Sequence, residues 1–195
     1  MSLPRRWWLG AGVLILVACH SGDSTRGYDD WLETPTAAQV PGYAAFLARA
    51  GVAGVLPMDG VLRSGRRWQR CGVDAFAVPP ATLWPNLPPT LRVVRRLRQE
   101  GILGPGVAAS VYRDPEFNRC EGGSAQSRHL RNNAIDFDLA PSANRITRLC
   151  TWWRRNGPRY GLGLGFYTDT RIHLDTAGFR TWGTDFTRRT SLCAR

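Results

Sequence analysis

Two short stretches constrain this fold more than any other part of the chain: "NAIDFDLA" at 133–140 and "RIHLDT" at 171–176. In each, apolar and polar residues alternate. Successive strand side chains point to opposite faces, so the pattern fits a sheet with one buried face. Ile135, Phe137 and Leu139 then point one way, and Asp136 and Asp138 the other. Ile172 and Leu174 likewise oppose Arg171, His173 and Asp175. "GVAASVYRD" at 106–114 is also strand-like.

The helical pattern is clearest from Thr90 to Glu100. Two prolines precede it, Thr90 can cap it, Leu91, Val94 and Leu97 share a face, and Gly101 can stop it. A second helix is expected from Ser142 to Asn156, ended by Gly157. A shorter pattern over Gln39–Ala50 carries Tyr43 and Leu47 on one face. Residues 77–89 are proline-rich and read as irregular, with Trp84 pinning them down. The segment from Val55 to Gly72 reads as turns and short extended pieces. "GLGLGFY" lacks the strand-to-helix context of a phosphate loop. Helices with several alternating strands predict an α+β domain, a mostly antiparallel sheet flanked by helices.

At 195 residues the chain suggests one domain with a tail. All 26 basic residues are arginine and the net charge is +11, which favours an anionic partner: nucleic acid, acidic lipid or a carboxylate-rich polymer. The arginines on the outer face of the 90–100 helix fit a nucleic-acid groove or a solvated face.

The N-terminus narrows the choice. Arg5 and Arg6 precede an apolar run from Trp7 to Val17, too short for a membrane span but the length of a signal-peptide core. "LVAC" at 16–19 resembles the lipobox of bacterial lipoproteins. That resemblance implies a signal peptide over 1–18, lipidation of Cys19, a polar tether over 19–36 and a folded domain over 37–195. The alternative is a plain secretory peptide. His20 after the cysteine, rather than Asp, favours the outer membrane, facing the periplasm. Export argues against nucleic acid. It also leaves Cys71, Cys120, Cys150 and Cys193 as an even set in an oxidising compartment, which reads as two disulfides. Three connectivities are possible; Cys71–Cys120 with Cys150–Cys193 is preferred.

His129 and Asp136 are seven residues apart. On a helix they would be separated by about 10 Å, too far to share an ion. With His129 in a loop folding back on a strand that holds Asp136, the distance closes. If zinc binds, the economical set is His129, Asp136 and His173, with a fourth position open as in catalytic sites. From spacing alone, the same three residues can equally decorate a sheet.

"SVYRDPEFNRCEGGSAQSRHLRNNAIDFDL" followed by "GLGFYTDTRIHLDTAGFRTWG" resembles the M15 family of zinc peptidases, the D-Ala-D-Ala carboxypeptidase and peptidoglycan endopeptidase group. The resemblance covers roughly 71–183 and rests on Ser127, His129 and Asp136, then His173, Asp175, Arg180 and Trp182. It implies Zn²⁺ held by His129, Asp136 and His173 on an antiparallel sheet, with Arg113 binding or polarising the substrate carbonyl. Ser127 and Asn118 are candidates for orienting substrate, or simply cap turns. Many relatives carry an acid three residues before the second histidine; here that position is Thr170. Asp169 is the preferred general base, and Asp175 is expected to support a ligand or Arg180. The implied function is hydrolysis of peptidoglycan stem peptides. The rival is a lipoprotein that holds the cell wall without cutting it.

Overall fold

The computed structural model describes residues 23–104 and 106–194. The expected signal peptide, with Cys19 and His20, lies outside the described residues. Seven helices and five strands are present among those described: α1 (Asp23–Leu32), α2 (Val40–Arg49), α3 (Met58–Val61), α4 (Trp68–Cys71), α5 (Leu87–Gln99), β1 (Gly106–Ser110), α6 (Pro115–Cys120), β2 (Ala134–Leu139), α7 (Arg145–Tyr160), β3 (Gly163–Phe166), β4 (Arg171–Asp175) and β5 (Arg180–Trp182).

The strands form one sheet in the order β1-β2-β4-β3-β5. Every pair is antiparallel except β3 with β5. This is the α+β arrangement expected from the alternating stretches. The apolar face is nearly sealed: Ile135, Phe137, Leu164, Phe166, Ile172 and Leu174 are buried. They share one core with Leu91, Val94 and Leu97 of α5 and Leu149, Trp152 and Trp153 of α7. Each such side chain contributes roughly 1.5–3 kcal/mol on burial.

Several boundaries differ from expectation. Helix α5 begins at Leu87, because prolines fit a first helical turn that needs no N–H donors. Thr90 is therefore not a cap. It is buried, and its hydroxyl donates to the Asn133 carbonyl at 3.0 Å. Helix α7 runs past Gly157 and ends at Gly161, whose φ of 57° makes the left-handed stop. Gly157 instead makes room for Phe179, which stacks on Trp153 with ring centroids 4.5 Å apart. The proline-rich stretch contains a 3₁₀ turn, Ala81–Asn86, and Trp84 packs on Tyr43 and Phe46. The segment 55–72 holds two one-turn helices, α3 and α4. The expected tether is also partly folded: α1 occupies 23–32, and Trp31 is buried beside Phe76, so the folded unit reaches back before position 37.

Three arginines of α5 are not merely solvated. Arg92, Arg95 and Arg98 donate to the carbonyls of Ala50, Gly51 and Val55, satisfying oxygens just past the end of α2. Disulfides join Cys71 to Cys120 and Cys150 to Cys193, the preferred pairing. The first ties α4 to α6; the second ties the C-terminal segment to α7.

Candidate metal centre

The polar face of the sheet is built from cross-strand neighbours. Ser110 pairs with Asp136, Asp136 with His173, His173 with Gly165, and Gly165 with Trp182. One rung thus crosses all five strands. On a neighbouring rung, Asp175 pairs with Gly163 and Gly163 with Arg180. The alternating glycines of β3 are what let this face work. A Cβ at Gly165 would lie 2.0 Å from the Trp182 indole, and one at Gly163 would lie 2.5 Å from both Asp175 and Arg180. The glycine-rich stretch is a flat bed for side chains from β4 and β5, not a phosphate loop.

His129 reaches this face from outside the sheet. It sits on a 3₁₀ turn, Arg128–Arg131, that Ser127 caps by accepting from the His129 N–H. Asn132, at φ 51°, ends the turn. Its side-chain amide donates to the Tyr43 hydroxyl and the Leu83 carbonyl, so α2 and the 81–86 turn hold the loop in place.

His129, Asp136 and His173 are all buried, and one donor atom from each lies within 4.8 Å of the others. Asp136 Oδ1 is 3.2 Å from His129 Nε2 and 2.9 Å from His173 Nδ1. The far nitrogens fix the tautomers. His129 Nδ1 lies 2.7 Å from the Val111 carbonyl, which can only accept, so Nδ1 carries the proton. His173 Nε2 donates to Asp175 Oδ2 at 2.9 Å, and Arg180 holds Asp175 through both guanidinium nitrogens at 2.9 and 2.6 Å. Metal-binding histidines commonly have their outer nitrogen engaged in this way.

Burial pulls the His129 pKa down, further helped by the Arg113 charge, and Asp136 does not fully offset it. With Nδ1 donating to the Val111 carbonyl, the neutral tautomer of His129 points the lone pair of Nε2 at the Asp136 carboxylate. Burial works to raise Asp136, but His129 and His173 overcome it and hold that carboxyl well below the usual range. Burial likewise opposes charge on His173, yet its hydrogen bonds to Asp136 and Asp175 raise its pKa. Asp175 is depressed despite burial, by His173 and Arg180. A lone pair facing an ionised carboxylate is an arrangement that a cation satisfies, so these three residues fit a metal ion.

The group opens into a cleft of about 930 Å³. Arg66, Arg113, Ser127, Tyr167, Trp182 and Phe186 are among its lining residues. Arg113 is buried, with Nη2 3.7 Å from Asp136 Oδ2 and Nε without a hydrogen-bond partner. Its neighbour Asp114 is engaged elsewhere, accepting from the N–H groups of Glu116 and Phe117 to cap α6. Asp175 stands behind His173, fully buried, and does not line the cleft. Asp169 is exposed on the turn between β3 and β4, also off the cleft lining. Asn118 is buried and braces the following loop, donating to the Ser124 carbonyl at 2.9 Å. Thus His129, Asp136, His173, Arg113 and Ser127 come together, whereas Asp169 and Asn118 do not join them.

Sequence reasoning missed Arg66. Its guanidinium forks onto Asp138 at 2.7 and 3.3 Å and reaches to 3.5 Å from Asp136. Tyr167 was missed too; its hydroxyl donates to Asp136 Oδ1 at 3.4 Å.

A family model for peptidase M15 matches residues 58–175, more than half the chain and all three members of the His–Asp–His group. The chain belongs to the peptidase M15 family. No match was found among curated proteins or among solved structures. In this M15 domain the matched region spans α3 to β4 and includes Arg66 and Arg113, while Arg180, Trp182 and Phe186 come from the segment after it.

Proposed function

We propose that this domain is a zinc-dependent peptidase that hydrolyses peptide bonds of the peptidoglycan stem, as a D,D-carboxypeptidase or an endopeptidase. The observation that carries the reading is the convergence of His129 Nε2, Asp136 Oδ1 and His173 Nδ1 at the cleft of an M15 domain. Two imidazoles and a carboxylate suit zinc, and three protein ligands are the number usual for catalytic zinc. Zinc held there would supply a Lewis acid that polarises a carbonyl and makes water nucleophilic near neutral pH.

The remaining work falls to the protein. Val111 and Asp175 keep the outer imidazole protons in place, so both inner nitrogens face the metal position. Arg113 presents positive charge where a carbonyl oxygen gains negative charge during attack. Burial and the nearby Asp136 charge raise the Tyr167 pKa, so its hydroxyl serves as a donor. The arginine surplus suits a carboxylate-rich polymer. An exported, lipid-anchored location through Cys19 belongs to the same proposal; the two disulfides support an oxidising compartment.

A second reading, wall binding without hydrolysis, is favoured by one observation. Besides Asp136, the one carboxylate lining the cleft among the described residues is Glu121, and it already accepts from the Arg67 N–H at 2.8 Å. Mass spectrometry of muropeptides after incubation with zinc-loaded protein separates the two. New cleavage products support the peptidase; co-sedimentation with the wall and no product supports the binder.

A further inference from the structure

The cleft has two unlike ends. The rung through Asp136 and His173 starts at Ser110 of β1 and finishes at β5, where Trp182 lies over Gly165; Arg66 and Arg113 line the cleft beside Asp136, 3.5 and 3.7 Å from its Oδ2. Beyond Trp182, Phe186 also lines the cleft, with its ring centroid 5.4 Å from that of Trp182. Phe186 is 71 % exposed and has a φ of 60°. Bulky side chains rarely occupy that backbone region, and the strain costs stability. The loop is shaped to impose it. Asp185 Oδ1 accepts from the N–H and hydroxyl of Thr187 and from the Thr190 hydroxyl, and Oδ2 pairs with Arg189 at 3.1 Å. The Phe186 N–H donates to the Gly183 carbonyl, and the Gly183 N–H to the Thr187 carbonyl. Here is a large apolar ring, held in a costly conformation, in solvent, at the mouth of the candidate site.

We propose that Phe186 is a specificity-determining residue: with Trp182 it forms an apolar wall that packs against the aliphatic part of a peptide whose anionic group is held by Arg66 on the Asp136 side of the cleft. This rests on the peptidase reading for its substrate. The occupant follows from charge and shape together. A peptide laid along the rung meets Arg66 and Arg113 beside Asp136 and the Trp182 and Phe186 faces toward β5, where Arg180 is already held by Asp175. The scissile bond then lies between an acidic and an apolar part of the substrate. Phe186 lies outside the segment that the family model matches.

The test uses soluble stem-peptide muropeptides and three proteins: native, Phe186→Gly and Phe186→Tyr. Binding is measured by calorimetry on metal-free protein, thermal stability by melting, and cleavage by mass spectrometry on zinc-loaded protein. Glycine adopts positive φ freely, so Phe186→Gly keeps or raises the melting temperature while weakening binding about tenfold. Phe186→Tyr keeps the wall and binds within about twofold of native, since the ring face is retained. Native-like binding by Phe186→Gly, equal weakening in both variants, or no binding by native protein overturns the wall. Cleavage with an unchanged Phe186→Gly affinity sinks the wall and leaves the peptidase standing. Binding that depends on Phe186 without cleavage supports the wall and sinks the peptidase.

Discussion

Asp136 and His173 face each other across the β2–β4 ladder, with Oδ1 2.9 Å from Nδ1. Strand register sets that contact. A slip of one residue in either strand would turn that strand's ligand into the core, so the packing of Ile135, Phe137, Ile172 and Leu174 also positions the candidate ligands.

Asp175 acts through His173. It accepts the Nε2 proton and is itself held by Arg180. Asp175→Asn is expected to lower zinc affinity about 10–100-fold, in line with other outer partners of metal-binding histidines. Competition with a chelator measures this, and circular dichroism verifies that the fold persists.

The β3 glycines are required by their neighbours. Gly165→Ala drives a methyl into the Trp182 indole and is expected to cost about 1–3 kcal/mol of stability, the usual range for overpacking. Urea unfolding reads the loss, and a change in tryptophan fluorescence reports the displaced ring.

Zinc affinity is expected to rise with pH. In the metal-free protein the His173 pKa is raised, so the imidazole keeps its second proton to higher pH than a free histidine, and a metal must displace it. The same shift makes a stabilising contribution that is complete below the unfolded histidine value of about 6.5. It is lost as pH rises through the folded value. Asp175 is depressed, so its contribution is present above the unfolded value of about 3.9. That contribution fades as pH falls toward the folded value. Calorimetry in buffers of different ionisation enthalpy is expected to show proton release on zinc binding.

The bridge Cys71–Cys120, exposed at Cys120, closes a 49-residue separation and ties α4 to α6. Replacing both cysteines with serine is expected to cost about 4 kcal/mol in the chain-entropy view, measured by urea unfolding against native protein.

Much of the sheet was legible because its residues alternate. Strands β2 and β4 declare their faces, and the likeness to M15 peptidases ordered His129, Asp136 and His173. Other features were hidden for physical reasons. Strand β5 is three residues long, too short to show a period. Arg66 lies 70 residues before Asp136, and only tertiary packing brings its guanidinium to Asp136 and Asp138. The start of α5 was masked by prolines that ordinarily break helices but fit a first turn. Asp169 looked close to His173 in sequence, yet the turn after β3 carries it into solvent.

The central claim is that His129, Asp136 and His173 hold one metal ion together. Elemental analysis after dialysis against zinc tests it most directly, on native protein and on His129→Ala, with folding checked by circular dichroism. The account predicts about one zinc per native chain and almost none in the folded variant. Equal zinc in both proteins, or none in the native one, would contradict it.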